Sequence, residues 1–284
     1  MGLIINTNIS ALVAQRNLKA NTVNLNKSLE RLASGYKINR ASDDAAGLSI
    51  SENLRGQIRG TQKAAANAQD GINILNIGEA ALSTVGENLQ RIRELTIQAA
   101  NDTNSTTERS AIALEVQARL EDINRIALTT KGNNVYLLDG SSSQFTLQVG
   151  ANSTATQNTI NIGVVFADSR YSALSISTTV TVGAGGAYES GGTCRAFLNE
   201  IDAAINNVFT RRAQLGAYMN RLESTVQSLT IQIENLKASE SRIRDVDIAS
   251  ETGELTKNQI LQQSATAILA QANQAPALAL QLLQ

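Results

Sequence analysis

Between Leu198 and Leu236, seam positions recur alternately three and four residues apart: Leu198, Ile201, Ile205, Val208, Arg212, Leu215, Met219, Leu222, Val226, Leu229, Ile233 and Leu236. Arg212 is the one polar member. Uninterrupted by proline, this pattern predicts a single helix about 60 Å long at roughly 1.5 Å per residue, longer than an ordinary domain is wide. Such a helix needs partners along its whole length.

The composition suits long, thin helices. Aromatic residues make up 3% of the 284 residues, tryptophan is absent and Pro276 is the one proline, so the apolar mass is Leu, Ile, Val and Ala. Lys plus Arg number 24 against 25 for Asp plus Glu, a formal net charge of -1. That balance gives no electrostatic reason to expect nucleic acid or an anionic membrane as partner. No stretch reaches membrane-spanning length, and Leu3 to Ile5 is followed by Asn6, Thr7 and Asn8, not by the apolar run of a secretory signal.

Two terminal segments carry further seams. Leu18, Thr22, Leu25, Leu29 and Leu32 form the first, ended by Gly35. Six asparagines, Asn6, Asn8, Asn17, Asn21, Asn24 and Asn26, lie within it or just before it, each costing up to ~0.7 kcal/mol relative to alanine in a helix interior, so the segment orders only when packed. Leu261, Ala265, Ile268, Ala272, Ala275, Ala279 and Leu282 form the second, a narrow alanine-rich seam containing Pro276, where a kink or fray is expected. Each end is too weak to stand alone, and the simplest expectation is that the two pair.

Ser42-Asp43-Asp44 reads as a helix start. Leu54, Ile58, Ala65, Ala68, Ile72 and Leu75 then lead, after an expected phase slip near Gly78, into Leu82, Val85, Leu89, Ile92 and Ala99. Asn101 to Thr107 is a polar break before a shorter helix through Ile112, Val116, Leu120 and Ile123, followed by a turn at Lys131-Gly132-Asn133-Asn134. Next the period changes. Phe145, Leu147 and Val149, then Ile160, Ile162 and Val164, alternate with polar residues on either side of Gly150-Ala151-Asn152, predicting a β-hairpin. The glycines at 183, 185 and 186 fit no phosphate-binding spacing and read as a surface loop.

Chemistry is sparsely supplied. With no histidine, the histidine-dependent nucleophile pairs and zinc sites are excluded. The carboxylate pairs Asp43-Asp44, Glu200-Asp202 and Asp245-Asp247 read as solvated helix faces and caps, and Arg91/Arg93 and Arg211/Arg212 as helix surface charge. Cys194 reads as a small buried hydrophobe. No catalytic residue, metal or cofactor is expected.

The residues themselves carry a resemblance. Ile5-Asn6-Thr7-Asn8, the run from Leu32 to Leu48 (LASGYKINRASDDAAGL) and Leu89 to Leu95 (LQRIREL) resemble bacterial flagellin, as do Arg211 to Ala217 (RRAQLGA) and Gln274-Ala275 through Leu283. The likeness covers roughly residues 1 to 140 and 194 to 284. It implies a mainly α fold, a long antiparallel coiled-coil rod with a small β-hairpin region, whose termini pair as a second coiled coil. The expected domains are 1–44 with 240–284 as a discontinuous filament core, and 45–239 as the rod, with the hairpin and a short variable region at about 135–192.

By the same resemblance, the chain is a structural subunit that polymerises with itself into the bacterial flagellar filament, exported without a cleaved signal. The implied partners are an export chaperone at the carboxyl-terminal helices, the hook-associated and cap proteins, and Toll-like receptor five. Filament-core packing is expected at Leu18, Leu25, Leu29, Leu32, Leu261, Ala265, Ile268, Ala272 and Leu282, and rod packing at Leu215, Met219, Leu222, Val226, Leu229, Ile233 and Leu236. The receptor surface of family members maps onto Arg91, Leu95 and Glu115, and the contact read by cytosolic flagellin sensors onto Leu280, Leu282 and Leu283. A flagellin-like hook-filament junction protein is the alternative. The intact Arg91 segment and short middle favour flagellin. Cysteine is uncommon in that family, and Cys194 reads equally as natural or as a labelling handle.

Overall fold

The computed structural model describes residues 8–141, 144–163, 166–176, 180 and 186–281, with side chains left aside at 144, 155, 163 and 275–281. In chain order the elements are α1 (Ile9–Ser34), α2 (Ala45–Ala99), α3 (Thr106–Thr129), β1 (Lys131–Gly132), β2 (Val135–Tyr136), β3 (Gln144–Gln148), α4 (Ala155–Asn158), β4 (Thr159–Gly163), α5 (Gly191–Arg244) and α6 (Ile248–Gln281). The chain divides into two compact units, one formed by 1–58 with 234–284 and the other by 59–233. The class is mainly α with a small antiparallel hairpin region.

Helix boundaries follow local chemistry. The Asn8 side chain accepts from Ala11 N at 3.0 Å, and α1 stops at Gly35, whose φ of 73° suits a residue without a Cβ. Asp44 Oδ1 accepts from Gly47 N at 2.9 Å to start α2. Ser105 and Glu108 form a reciprocal capping box on α3, and Asp247 accepts from Ala249 N and Ser250 N at the start of α6. Asn133 and Asn134, at φ 47° and 67°, make the two-residue turn between β1 and β2, so Lys131 and Gly132 are strand residues and not part of the turn. Helical backbone continues past Pro276 to Gln281.

The 59–233 unit holds an apolar core. From α2 come Leu75, Leu82, Val85, Leu89 and Ile92, and from α3 Val116, Leu120 and Ile123. α5 faces them with Ile201, Val208, Leu215 and Leu222, and its buried row begins earlier than the sequence pattern indicates, at Cys194 and Phe197. Leu229 is buried, while Met219, Val226, Ile233 and Leu236 are half-buried. Burying a leucine fully is worth about 1.5–3 kcal/mol, so this unit has ample driving force.

No phase slip occurs at Gly78. The row runs Leu75, Gly78, Leu82, Val85, and a Cβ added at Gly78 would stand 2.8 Å from Phe166. A ring from the middle of the chain fills the place of the missing side chain. Next to it, Glu79 Oε1 accepts from Arg212 Nη2 at 2.7 Å and Nε at 3.2 Å, so Arg212 is an ion-paired link between α5 and α2.

The second hairpin pairs β3 with β4 in the register Phe145↔Ile162 and Leu147↔Ile160. Leu147, Ile160 and Ile162 turn toward the core, as alternation requires. One turn of helix, α4, lies in the connection, and Val149 N donates to Asn158 O at 2.8 Å to close it. Val164 and the glycines at 183 and 185 lie outside the described residues.

Candidate assembly interface

The 1–58 with 234–284 unit is built on α1 and α6, which run antiparallel. Asn8 Nδ2 donates to Ala272 O at 2.7 Å, Gln262 Nε2 to Thr22 Oγ1 at 3.4 Å, and Arg31 Nη1 to Glu251 Oε2 at 3.5 Å. On α6 the inward positions are Glu251, Leu255, Asn258, Gln262, Ala265, Leu269 and Ala272, a continuous four-three repeat. On α1, Ala14 and Ser28 are buried, with Leu18, Leu25 and Leu32 half-buried. Small residues permit close approach, and polar ones occupy much of the seam.

Two expected α6 seam residues lie off this interface. Leu261 is 41% and Ile268 58% exposed, because the inward row passes through Gln262 and Leu269, one residue later. A single residue step is a 100° turn on a helix. Leu29, likewise, is 47% exposed, while Ser28 takes the buried place beside it. Ile9, Leu12, Val13, Val23 and Ile260 are also exposed, and Ile9, Val13, Ala14 and Ile268 line a shallow apolar groove. The pair therefore mixes polar with apolar and small residues within, and leaves several large apolar side chains without. Leu282 and Leu283 lie outside the described residues, as does the side chain of Leu280.

Where the helix ends meet, Lys37 N donates to Arg244 O at 2.6 Å and Val246 N to Gly35 O at 3.0 Å. The Arg244 guanidinium lies 4.6 Å from the Tyr36 ring centre and pairs with Glu52 at 2.9 Å. Hydrogen bonds from Arg55 and Arg244 hold Glu52 below the usual carboxylate range, and Lys27 does the same for Asp43. The carboxylate pairs thus serve as caps and ion-pair partners: Asp44 and Asp247 as caps, Asp43 with Lys27, and Asp202 with Arg93 at 2.6 Å.

On the other unit, Arg91 is exposed and donates to Glu94 Oε2 at 3.0 Å and Glu115 Oε1 at 3.5 Å, which raises its pKa. Leu95 is 3% exposed and belongs to the core, so Arg91 and Glu115 meet solvent and Leu95 does not. Arg211 is not surface charge. Its Nη1 donates to Ala167 O, Asp168 O and Ser169 Oγ at 3.1, 2.9 and 2.8 Å, and burial lowers its pKa. Cys194 is fully buried, its thiol pushed up by desolvation.

Among the described residues no helix is long and apolar enough to cross a membrane, and no cluster of His, Cys, Asp or Glu is arranged for a metal. The polar seam of α1 and α6 was hidden because a hydrophobicity pattern gives weight to Leu261 and Ile268. The spacing of seven from Glu251 to Asn258, Ala265 and Ala272 is the signal that finds it.

A family model for the bacterial flagellin N-terminal helical region matches residues 5–143, and one for the bacterial flagellin C-terminal helical region matches 198–283. The flagellin of Bacillus subtilis (strain 168) is 43% identical, with 99% of each chain covered. A flagellin of Halalkalibacterium halodurans is also 43% identical over 99% of this chain and all of its own. The flagellar filament 33 kDa core protein of Treponema phagedenis is 42% identical at the same coverage. Among solved structures, a putative flagellar hook-associated protein from Vibrio parahaemolyticus covers 72% of this chain and all of its own, with a TM-score of 0.60 at 16% identity. That likeness concerns the fold alone.

Proposed function

Because this chain belongs to the bacterial flagellins and is a structural subunit of the extracellular flagellar filament that serves swimming motility, we propose that its terminal helices are the surface through which copies polymerise. The observation that carries this reading is the apolar surface the pair leaves exposed: Leu12, Val23, Ile260 and Ile268 face out, while polar Ser28, Glu251 and Asn258 share the inside with leucine and alanine. An exposed apolar surface of that kind is stabilised when other copies cover it. Residues 1–44 with 240–284 then form the filament core, and 45–239 the outer rod.

Coupled folding and assembly follow. With little apolar burial of their own, α1 and α6 remain largely disordered in the free subunit and order as neighbours bury Leu12, Leu29, Leu261 and Ile268. Disorder at the ends suits export as an unfolded chain without a cleaved signal. The apolar face of α6 is where an export chaperone would bind, and the hook-associated and cap proteins would meet the same surfaces at the filament ends.

Recognition by Toll-like receptor five would use the exposed ion pair of Arg91 with Glu115, with Leu95 supporting it from beneath. Cytosolic sensors would read Leu280, Leu282 and Leu283. Both uses are secondary to assembly.

Truncation tests the assembly reading. Removing residues from Leu261 onward should abolish filaments seen by electron microscopy, while circular dichroism retains the helical signal of the 59–233 unit. A truncated chain that still polymerises would overturn it.

A further inference from the structure

The α1 and α6 seam poses an alignment problem. Its rows repeat every seven residues with near-equivalent groups: Leu18, Leu25 and Leu32 on α1, and on α6 small residues at Ala265 and Ala272. Sliding one helix by seven residues replaces leucine with leucine and alanine with alanine or asparagine. Apolar packing alone therefore discriminates poorly between the observed alignment and its neighbours.

We infer that Arg31 and Glu251 are positioning residues that set the register of α1 against α6, and thereby the alignment of the outward apolar surface. Theirs is the one ion pair recorded between the two helices among the described residues, with side chains 25% and 11% exposed. A slip of seven in either direction takes Glu251 away from Arg31, toward Asn24 or past the end of α1 at Gly35, and leaves a buried carboxylate without its cation. Arg31 Nε is itself buried without a hydrogen-bond partner, so the guanidinium depends on Glu251 for its compensation. One turn beyond, Val246 N donates to Gly35 O and Lys37 N to Arg244 O, joining the helix ends but leaving the helices themselves to be aligned by the ion pair.

Buried ion pairs contribute little net stability against apolar replacements, and their best-attested use is to specify register. Replacing both residues with leucine should therefore keep the pair helical but let it slide. The consequence for filaments rests on the assembly reading above; the register itself does not.

The test uses the full-length chain with Cys194→Ala, held compact by trimethylamine N-oxide, and a short bis-maleimide linking engineered cysteines. Thr22→Cys with Gln262→Cys reports the observed register, and Thr22→Cys with Leu255→Cys or Leu269→Cys reports a slip of seven either way. With Arg31 and Glu251 intact, the 22–262 link should exceed each slipped link by about tenfold or more. Arg31→Leu with Glu251→Leu should bring the three links within about threefold of one another, and the reversed pair Arg31→Glu with Glu251→Arg should restore the preference for 22–262. A leucine variant that still links only 22–262 overturns the inference, whatever its filaments do. Links that spread while polymerisation is unchanged would leave the register role standing and overturn the proposed assembly surface instead.

Discussion

Both compact units of this flagellin are built from long helices with rows three and four residues apart, yet they are filled differently. In the 59–233 unit, Leu75, Leu82 and Leu89 face inward with no solvent exposure, joined by Val116, Ile123 and Leu215 from two other helices. In the 1–58 with 234–284 unit, Ser28, Glu251 and Asn258 are buried while Leu12 and Ile268 face out. Period sets the secondary structure, and the composition of the inward row sets whether the element is self-sufficient. One unit has a continuous apolar core of its own, and the other leaves large apolar side chains exposed.

Amide hydrogen exchange measures that contrast at its largest. In the free subunit, amides near Leu89 and Val116 should exchange only through global unfolding, while those of α1 and α6 exchange almost freely. Polymerisation should slow the terminal amides by about a thousandfold or more, equivalent to roughly 4 kcal/mol. Terminal protection already present before assembly would erase the distinction between the two units.

Single truncations come next. Leu222→Ala, at a fully buried position, should lower the urea-unfolding stability of the free subunit by about 2–5 kcal/mol. Leu18→Ala, at a half-buried position on α1, should leave that transition within about 0.5 kcal/mol and act on polymerisation instead. Equal losses at the two sites would mean that the terminal pair is already packed in the free subunit.

The same contrast decides what the sequence makes legible. The rod was readable because its inward row is almost wholly apolar, so counting Leu215, Leu222 and Leu229 along α5 locates the buried face. The β3 and β4 register follows from strict alternation at Phe145, Leu147, Ile160 and Ile162. Where the inward row mixes polar with apolar residues, hydrophobicity points one residue off, and so Leu261 and Ile268 replace Gln262 and Leu269 in a sequence reading. Gly78 misleads for a related reason: its partner, Phe166, comes from 88 residues away, and a local pattern carries no trace of it. Arg211 reads as surface charge because its three acceptors, Ala167 O, Asp168 O and Ser169 Oγ, belong to a loop with no periodicity. Leu95 shows the limit of resemblance, which aligns a residue with a receptor surface but does not say how deeply it is buried.

Alkaline pH should act on the 59–233 unit. Tyr188 is fully buried, its hydroxyl 2.6 Å from Thr96 Oγ1, and burial raises its pKa above the ordinary value of 10.0, as it raises that of Cys194 above 9.0. The folded state keeps both protons where the unfolded chain releases them. The stabilisation is therefore complete below the unfolded values and is lost as pH rises above them toward the folded values. Thermal melts of the free subunit between about pH 8 and 11 should show a falling midpoint, and Tyr188→Phe should flatten the upper part of that fall. An unchanged slope would place the alkaline sensitivity elsewhere.

The smallest expected effect is at Arg93 and Asp202, which link α2 to α5 at 2.6 Å. The distance suggests a strong bond, and pairing with Asp202 raises the Arg93 pKa. Exposure decides otherwise: the two side chains are 46% and 45% exposed, so water and salt screen the attraction and ordering two long side chains offsets much of what remains. Arg93→Ala should leave the urea transition of the free subunit almost unchanged, and any small shift should shrink as salt is raised. The same α2 and α5 faces are joined a few turns away by Leu82, Val85 and Leu215, whose burial does not depend on salt. A loss as large as that of Leu222→Ala, or a unit whose whole stability fell as salt was raised, would mean that charge and not apolar burial holds these helices together.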